Sequence, residues 1–593
     1  MCGIVGVVGI DRGEQKALCA EMLGAVRHRG PEGGGVHSTR CADVGACRLS
    51  LVDVEGGGQP MRNDVSGLAV VFNGEIYNHE ELRSRLVARG HRFRTRTDTE
   101  VVLHMYQEYG EECVDLMQGM FAFSVIGDEF VYLARDRLGI KPLHLASIRG
   151  GRTLLFASEL KALLRCSEVD RTVDTTPLAD SFILNHGTGR NTLFRSIRSL
   201  RPGHWLLARN SNGKLEIEER RYFQLSVCPD ARDDLEGALD LLEATLVDSV
   251  RTHAKCDFET GLHLSGGVDS GLIAWIAARE RLALRSHTVT CDPEMGDAEV
   301  ARRYARSLGL EHSEELIDFR SYVDAIPRFV WASESVPSLY PLTFFILCQR
   351  ISEKGRVYLN GEGADELFAG YPEYVHPRSE RRRLVENLNR AEQLGLPVSE
   401  RVRQIVGSLA STVKYGDYLR KTLELYQQDQ LEFNHLTVID RCSMAASIEV
   451  RVPFLDDKMV EVVNSLPLSF KIPGRLRISK YILKRLFLRL AGELAYDPVL
   501  RSKEGLPSSG RQHLDQFVRY CSANIPDSYV EKHPYRQYFS NPDESGGGPK
   551  KCALLLFDLF HYQFVKRGGI LDGGLDMQDF VAARSGEGQS IDF

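Results

Sequence analysis

The sequence predicts an α/β protein with two parts that differ in the arrangement of their strands. In the first part apolar and polar residues alternate and turns are frequent, as in Val131-Tyr132-Leu133 and Trp205-Leu206-Leu207-Ala208. This pattern favours layered antiparallel sheets. From about Leu235 the apolar spacing becomes helical, and strands then alternate with helices. That alternation predicts a parallel, Rossmann-like sheet, which binds ligands at the carboxyl ends of its strands.

Length and composition exclude several classes of protein. A chain of 593 residues is longer than one ordinary domain. The net charge of −7 argues against a nucleic-acid-binding protein, and no apolar run approaches the roughly 18–20 residues that span a bilayer. The 13 cysteines include no Cys-x-x-Cys pair, so neither a zinc site nor a disulfide framework is indicated. Because the start of the chain lacks a signal-peptide pattern, a cytoplasmic protein is expected.

The first candidate catalytic residue is Cys2. Removal of Met1 would leave Cys2 with a free α-amine, whose pKa of ~7.7–8.0 suits a general base for the thiol of the same residue. Such an N-terminal nucleophile needs no distant histidine. A buried, inert thiol is the alternative for any lone cysteine near a terminus, so the motifs that follow decide between the two.

A series of motifs resembles the class II glutamine amidotransferases, in the order of that family. They are Cys-Gly-Ile-Val-Gly at 2–6, His-Arg-Gly-Pro-Glu-Gly at 28–33, Arg-Leu-Ser-Leu-Val-Asp at 48–53, Phe-Asn-Gly-Glu-Ile-Tyr-Asn at 72–78 and Thr-Asp-Thr-Glu at 97–100. The resemblance implies a glutaminase domain over residues 1–209 with the layered αββα fold of N-terminal-nucleophile hydrolases. Two departures, Glu32 for the usual aspartate and Ala46-Cys47 for a usual Gly-His, do not touch the nucleophile.

The same resemblance implies a set of glutamine-binding residues. They are Arg48, Leu51, Val52, Asn73, Gly74, Glu75 and Asp98. An arginine can form two hydrogen bonds with the α-carboxylate of glutamine, and two acids can pair with its α-ammonium. Asn73 and the Gly74 N–H would form the oxyanion hole and so join Cys2 as catalytic candidates. Taken singly, Asn-Gly is a common turn and Asp-Thr a common helix start.

The second part is organised around Leu-Ser-Gly-Gly-Val-Asp-Ser at 264–270. A glycine-rich turn between a strand and a helix N-terminus is an anion site, although a turn without ligand is the alternative. No Gly-Lys-Ser/Thr closes it, so it is not the Walker pattern. Asp269 beside a phosphate requires a cation between the two. The string resembles the pyrophosphate loop of ATP pyrophosphatases, which split ATP into AMP and pyrophosphate.

Further motifs resemble those of asparagine synthetases. Ser286–Thr290 and Val357–Leu359 are predicted strands, and Asp297–Leu308 is a predicted helix. The second strand leads into Asn-Gly-Glu-Gly-Ala-Asp-Glu at 360–366, which is similar to a motif of asparagine and β-lactam synthetases. A longer match follows at 443–456.

The resemblance implies roles in the synthetase half. Asp269 and Asp365 would hold Mg²⁺, Glu362 would act as acid/base, and Lys503 would be catalytic. The implied ATP-binding residues are Leu264, Ser265, Gly266, Gly267, Asp269, Ser270, Val289, Asn360, Gly361 and Lys480. Without the resemblance, either lysine would be taken as an exposed, solubilising residue.

The resemblance extends from Cys2 to about Lys503 and predicts a complete reaction. Glutamine is hydrolysed through Cys2, a carboxylic acid is adenylated with Mg-ATP, and ammonia displaces AMP to give an amide. The synthetase domain is expected at 230–565 after a polar linker at 210–214 and 230–234. A mobile loop is expected at 540–551 and a disordered tail at 581–593. A homodimer is compatible with the sequence, whereas nucleic-acid and membrane partners are not expected.

The carboxylate acceptor is the least determined feature. Aspartate is the first candidate, and another carboxylic acid, for example in specialised metabolism, is the second. Asn360 replaces the family's usual serine, and in a gapless alignment Ser338 and Tyr340 replace an aspartate and a serine. If the stretch 334–341 lines the acceptor pocket, these changes make the pocket less polar. A catalytically inactive binding paralogue is a third reading, disfavoured because the catalytic residues are present.

Overall fold

Two antiparallel sheets form the first part of the chain in the computed structural model. The structure describes residues 2–9, 15–189, 191–211, 214–230, 233–292, 296–336, 338–474, 476–500, 506–539, 547–571 and 573–585. The strands of this part are β1 Cys2–Gly9, β2 Gly33–Ser38, β3 Ala42–Arg48, β4 Met61–Asn63, β5 Leu68–Ile76, β6 Gly119–Ile126, β7 Phe130–Arg135, β8 His144–Ile148, β9 Thr153–Ala157, β10 Ile197–Ser199, β11 His204–Ser211 and β12 Lys214–Arg221. One sheet has the order β10-β8-β9-β1-β3-β2, the other β12-β11-β7-β6-β5-β4.

Alternation along each strand divides its side chains between two apolar layers. On β1, Ile4 and Val8 pack between the two sheets, whereas Val5 and Val7 pack with Met22 of a helix on the outer face. Helices cover the outer face of the second sheet in the same way. The helices of this part are Gln15–Ala25, His79–Ala88, Asp98–Tyr109, Cys113–Leu116, Leu160–Leu163 and Thr176–Leu184. The predicted helix–sheet–sheet–helix layering is confirmed.

The first part ends later than predicted. Strands β11 and β12 pair along their whole length, from His204 opposite Arg221 to Ser211 opposite Lys214. Asn210, Ser211 and Lys214 of the predicted linker therefore belong to paired strands, and a boundary at 209 would cut the second sheet. Alternating polarity on an exposed edge strand resembles linker composition, which explains the error.

A five-stranded parallel sheet forms the centre of the second part. Its strands are β13 Thr260–His263, β14 Leu284–Thr290, β15 Glu311–Leu316, β16 Val357–Leu359 and β17 Glu449–Arg451, in the order β15-β14-β13-β16-β17. All neighbouring pairs are parallel. The strand order changes direction between β13 and β16, and a crevice for ligands opens at such a point. The predicted strands and the predicted parallel sheet are confirmed.

Helices surround this sheet and extend to the end of the chain. They are Leu235–Ala254, Val268–Arg279, Gly296–Leu308, Phe319–Asp324, Ile326–Ser333, Leu342–Ile351, Ala364–Phe368, Pro372–Val375, Pro377–Gln393, Glu400–Ser411, Tyr415–Leu425, Thr437–Met444, Asp457–Ser465, Leu468–Lys471, Tyr481–Ala491, Tyr496–Leu500, Leu506–Asn524, Asp527–Lys532, Gly547–Phe560 and Met577–Ser585, with a π-helical stretch at Tyr426–Leu436. Among the described residues, no helix has the length and apolarity needed to cross a membrane.

Two expectations about the end of the chain need correction. Helix Gly547–Phe560 takes up the second half of the predicted mobile loop, and Lys551 is buried. The predicted tail begins within helix Met577–Ser585, where Val581 is fully buried. Burial of apolar side chains fixes these segments as helices, which the glycine-rich composition of their surroundings does not indicate. Residues 540–546 and 586–593 lie outside the described residues.

Buried ion pairs join the two parts. The Arg29 guanidinium lies 2.8 Å from both Glu159 in the first part and Asp440 in the second. Lys161 lies 3.0 Å from Glu334 across the same interface. All five side chains are almost completely inaccessible to solvent. Because an unpaired buried charge is costly, these pairs hold the two parts in one relative position.

Candidate active sites

Cys2, the predicted nucleophile, is the first residue of β1. Cys2 is opposite Arg48 in the pairing of β1 with β3 and is buried. Burial raises the pKa of its thiol, and this outweighs the nearby positive charges that lower it. The Gln59 amide nitrogen lies 3.4 Å from Cys2 Sγ, while Gln59 Oε1 accepts from the Phe72 N–H at 2.7 Å. Gln59 was not identified from sequence, since no motif marks it.

Asn73 presents an unused donor beside Cys2. Its Oδ1 accepts a hydrogen bond from the backbone N of Cys2 at 3.1 Å. Its Nδ2 is buried and has no hydrogen-bond partner in the described part of the chain. Gly74 follows on β5, where an added Cβ would lie 2.1 Å from the Met120 carbonyl oxygen. A donor that is buried without a partner is costly unless a ligand satisfies it, as an oxyanion would.

Two buried carboxylates lie close by. Asp98 Oδ2 accepts from the Ile76 N–H at 3.0 Å, and Glu75 lies 3.0 Å from Arg451 of the second part. Burial, followed by the charge of Asp98, raises the pKa of Glu75 well above its usual value. Burial also raises the pKa of Asp98. The pair therefore has an excess of negative charge that an ammonium group would relieve.

The loop after β3 wraps around the Arg48 guanidinium. Its NH2 nitrogen donates to the carbonyls of Val52 and Asp53 at 2.9 and 2.7 Å, and NH1 donates to Val54 at 2.8 Å. Three of the five guanidinium N–H groups are thus used within the loop. Leu51 is buried beside them, and Val52 is half-buried. The structure brings all the predicted glutamine-binding residues onto β3, β5, this loop and the start of helix Asp98–Tyr109.

The predicted phosphate loop joins β13 to helix Val268–Arg279. Ser270 Oγ accepts from the Ser265 N–H at 3.2 Å and lies 3.1 Å from Ser265 Oγ. Gly266 has φ of +73°, and an added Cβ would lie 2.8 Å from the Asp297 carbonyl oxygen. Both facts require glycine at this position. Gly267 is the N-cap of the helix, so the turn presents the positive end of the helix dipole.

Two predicted metal ligands converge on one cation. Lys480 Nζ lies 2.7 Å from Asp269 and 2.8 Å from Asp365. Gly370 packs against this group, since an added Cβ would lie 1.8 Å from Asp365 Oδ1. The Lys480 ammonium lies between the two carboxylates and balances their charge. The same pair of carboxylates could therefore hold a divalent cation. Lys503 lies outside the described residues.

A cavity of about 680 Å³ lies beside the loop at 264–270. Nine of the residues that line it were predicted as site residues from the sequence: Leu264, Ser265, Asp269, Ser270, Val289, Asn360, Gly361, Glu362 and Asp365. Phe344 and Leu347 add an apolar wall. The cavity thus combines an apolar wall, the glycine-rich loop at 264–270 and an acidic end.

Several residues at this cavity were not predicted as site residues. Asn360 Nδ2 lies 3.3 Å from His263 Nδ1. His435 Nδ1 lies 2.7 Å from Glu362 Oε1, and Tyr371 donates to Glu366 at 2.6 Å. Glu366 is the last residue of the motif at 360–366, and Tyr371 follows it by five positions, so both were within reach of sequence reasoning. His263 and His435 carry no motif that could mark them.

The described residues of the stretch at 334–341 do not line the cavity. Glu334 is buried at the interface between the two parts and accepts from the Leu160 N–H at 2.7 Å. Tyr340 is half-exposed, and no described residue of this stretch is among those that line the cavity. Ser338 and Tyr340 therefore give no support to a less polar acceptor pocket. Asn360, the other departure, does line it.

Comparison with known proteins divides the chain in the same way. A glutamine amidotransferase domain model matches residues 1–223, and an asparagine synthase model matches residues 241–541. Asparagine synthetase [glutamine-hydrolyzing] 1 of Bacillus subtilis is 29% identical over 95% of this chain and 96% of its own length. Asparagine synthetase [glutamine-hydrolyzing] 3 of the same organism is 31% identical over 88% and 89%. Asparagine synthetase B of Escherichia coli is 28% identical over 95% and 91%.

The matches span both candidate sites, the residues around Cys2 and the cavity beside the loop at 264–270. They support a ligase that forms a carbon–nitrogen bond with glutamine as nitrogen donor, in a family that uses ATP as cosubstrate. The chain belongs to the asparagine synthase family and is a glutamine-hydrolysing carbon–nitrogen ligase.

Proposed function

We propose that this enzyme converts aspartate to asparagine with glutamine and Mg-ATP, in three steps divided between two domains. The first domain hydrolyses glutamine and ends with β12, and the second, from helix Leu235–Ala254 onward, forms the amide. The observation that carries the proposal is the cavity, in which a phosphate loop, two carboxylates around one cation and Glu362 are combined.

The first step releases ammonia from glutamine. The Cys2 sulfur attacks the side-chain amide carbon, and the oxyanion that forms accepts hydrogen bonds from Asn73 Nδ2 and the Gly74 N–H. The α-amine of Cys2, free once Met1 is removed, takes the thiol proton and passes it to the departing nitrogen, which leaves as ammonia. Water then hydrolyses the thioester to glutamate and restores the thiol. Glu75 and Asp98 pair with the α-ammonium of glutamine, and Arg48 binds its α-carboxylate. The unpartnered Nδ2 and the raised pKa values of the two acids support these roles.

The second step activates the acceptor. Its carboxylate attacks the α phosphorus of ATP, and pyrophosphate leaves from the loop at 264–270. Asp269 and Asp365 would hold Mg²⁺, which supplies positive charge to the phosphates. Lys480 then moves from these carboxylates to the phosphates, where a compact cation stabilises developing charge. Leu264 and Val289 are both buried and form the apolar surface for the adenine base of ATP.

In the third step ammonia attacks the acyl carbon, AMP leaves, and Glu362 accepts the proton. Aspartate is the proposed acceptor because the relatives are named for asparagine synthesis. A different carboxylic acid is the second candidate, favoured by Asn360 in the cavity wall and by its contact with His263. Assembly as a homodimer and a cytoplasmic location stay predictions.

The deciding experiment combines purified protein, glutamine, Mg-ATP and aspartate. Asparagine, AMP and pyrophosphate are expected in equal amounts. Cys2→Ala should lose glutaminase activity and glutamine-dependent synthesis, yet retain synthesis from ammonium salt. Cys228→Ala is the matched control, because Cys228 is exposed and lies far along the chain from the motifs. ADP and phosphate as products would refute the pyrophosphatase step. Glutaminase activity without asparagine would favour the second candidate, to be sought by screening carboxylic acids for pyrophosphate release.

A further inference from the structure

Glu362, Glu366 and His435 form a cluster at the acidic end of the cavity. Of these three residues, only Glu362 has a role in the steps above. Glu366 lies on helix Ala364–Phe368, and His435 lies on the π-helical stretch Tyr426–Leu436. One ligand atom of each of the three side chains lies within 4.8 Å of the others. Glu366 is fully buried, and its Oε2 has no hydrogen-bond partner in the described part of the chain. Such a cluster could bind a metal ion or hold a protonated imidazole.

The geometry decides between these two possibilities. His435 Nδ1 lies 2.7 Å from Glu362 Oε1, whereas Nε2 lies 3.5 Å from Glu366 Oε1. The Tyr371 hydroxyl lies 3.1 Å from the same Nε2. The two carboxylates thus approach opposite ring nitrogens. A metal ion takes one ring nitrogen and would need both carboxylates on that side, while an imidazolium donates from both nitrogens.

The groups that face the ring favour its protonated form. They are Glu362, Glu366 and Tyr371. Burial lowers the pKa of His435, but the charges of Glu362 and Glu366, and then of Asp365, outweigh it and raise the pKa to about 9. His435 is therefore a cation at neutral pH, placed between acids that would otherwise repel one another.

We propose that His435 is a positioning residue for the amide-forming step, holding one oxygen of Glu362 so that the carboxylate stays ionised and oriented toward the acyl carbon. This inference rests on the proposed function. As ammonia attacks, the C–N bond forms and the bond from carbon to the phosphate oxygen breaks, and AMP leaves with that electron pair. A proton from the attacking nitrogen passes to Glu362. Without the imidazolium, no positive charge would separate Glu362 from Glu366, and Glu362 would become protonated at higher pH.

The kinetic test compares His435→Gln with the wild type in three assays. At pH 7, synthesis from ammonium salt should fall about 10- to 100-fold, less than the ~10²–10⁴-fold that a general base contributes, because Glu362 itself is kept. The rate should recover as the pH rises, because the acidic limb of the profile moves to higher pH. Glutaminase activity and aspartate-dependent exchange of pyrophosphate into ATP should stay within about twofold, since neither uses this base. His37→Gln, on β2 of the first domain, is the matched control.

Two outcomes would overturn the kinetic claim. An equal loss in exchange and in amide formation would indicate a general defect of the cavity. A reduced rate with an unchanged pH profile would indicate a merely structural role.

A second measurement does not depend on the acceptor. In protein labelled with ¹⁵N-histidine, the signal that His435→Gln removes should titrate near pH 9, and Glu362→Gln should lower that midpoint. A midpoint near 6.5, the ordinary value for histidine, would overturn the proposal. A change of that signal on addition of Zn²⁺ without substrates would show a metal site and overturn it too. If the wild type forms no asparagine, the acceptor assignment fails, and this titration still decides the role of His435.

Discussion

Replacing Asn73 by alanine tests the oxyanion hole of the glutaminase domain. The substitution removes a buried Nδ2 that has no partner in the described chain and an Oδ1 that accepts from the Cys2 N–H at 3.1 Å. A buried unsatisfied donor costs about 1–3 kcal/mol before the reaction, and this cost is recovered when the oxyanion forms. One oxyanion donor is worth about 10²–10³ in kcat, or ~2.7–4 kcal/mol. We therefore expect glutaminase kcat to fall by that factor.

The assay for Asn73→Ala measures glutamate release at saturating glutamine, with thermal unfolding as a control for folding. The KM for glutamine should change little, because the donor acts on charge that develops in the transition state. Synthesis from ammonium salt should be unchanged, since it bypasses Cys2. A loss of less than about threefold in kcat, in a folded variant, would refute the oxyanion role of Asn73.

Three further predictions concern both domains. Asp365→Asn should abolish pyrophosphate release and leave glutaminase activity intact, because it removes one of the two charges around the shared cation; retained synthesis would contradict the metal assignment. Gly266→Ala should cost about 1–2 kcal/mol for the left-handed conformation, in addition to its 2.8 Å contact with the Asp297 carbonyl, and should raise the KM for ATP; an unchanged KM would count against the loop. Because the pKa values of Glu75 and Asp98 are raised, these acids become protonated at a higher pH than ordinary carboxylates, which titrate near ~4. Protonation removes the charge that binds the α-ammonium, so the KM for glutamine should begin to rise while the pH is still above that value. A KM that stays constant down to pH ~4 would refute this prediction.

Local patterns were sufficient where structure and chemistry are contiguous in the chain. The loop at 264–270 supplies its own glycine turn, helix N-terminus and acid within seven residues, so its position after a strand followed from sequence. Alternation in Val131-Tyr132-Leu133 and Trp205-Leu206-Leu207-Ala208 likewise predicted antiparallel strands, which are β7 and β11. Local patterns failed at the hairpin of β11 and β12, because the pairing of an exposed edge strand depends on its neighbour.

The sequence alone determined the family chemistry, because each motif that carries it is a short contiguous run. These runs contain Cys2, Asn73-Gly74-Glu75, and the acids that follow β13 and β16. Only the tertiary structure placed Gln59 beside Cys2, Lys480 between Asp269 and Asp365, and His435 against Glu362, contacts that join residues 57 to 211 positions apart. The physical reason is that such side chains meet through the packing of separate helices and strands around a buried core. No local periodicity records that packing, so an isolated histidine or lysine carries no sign of its partner.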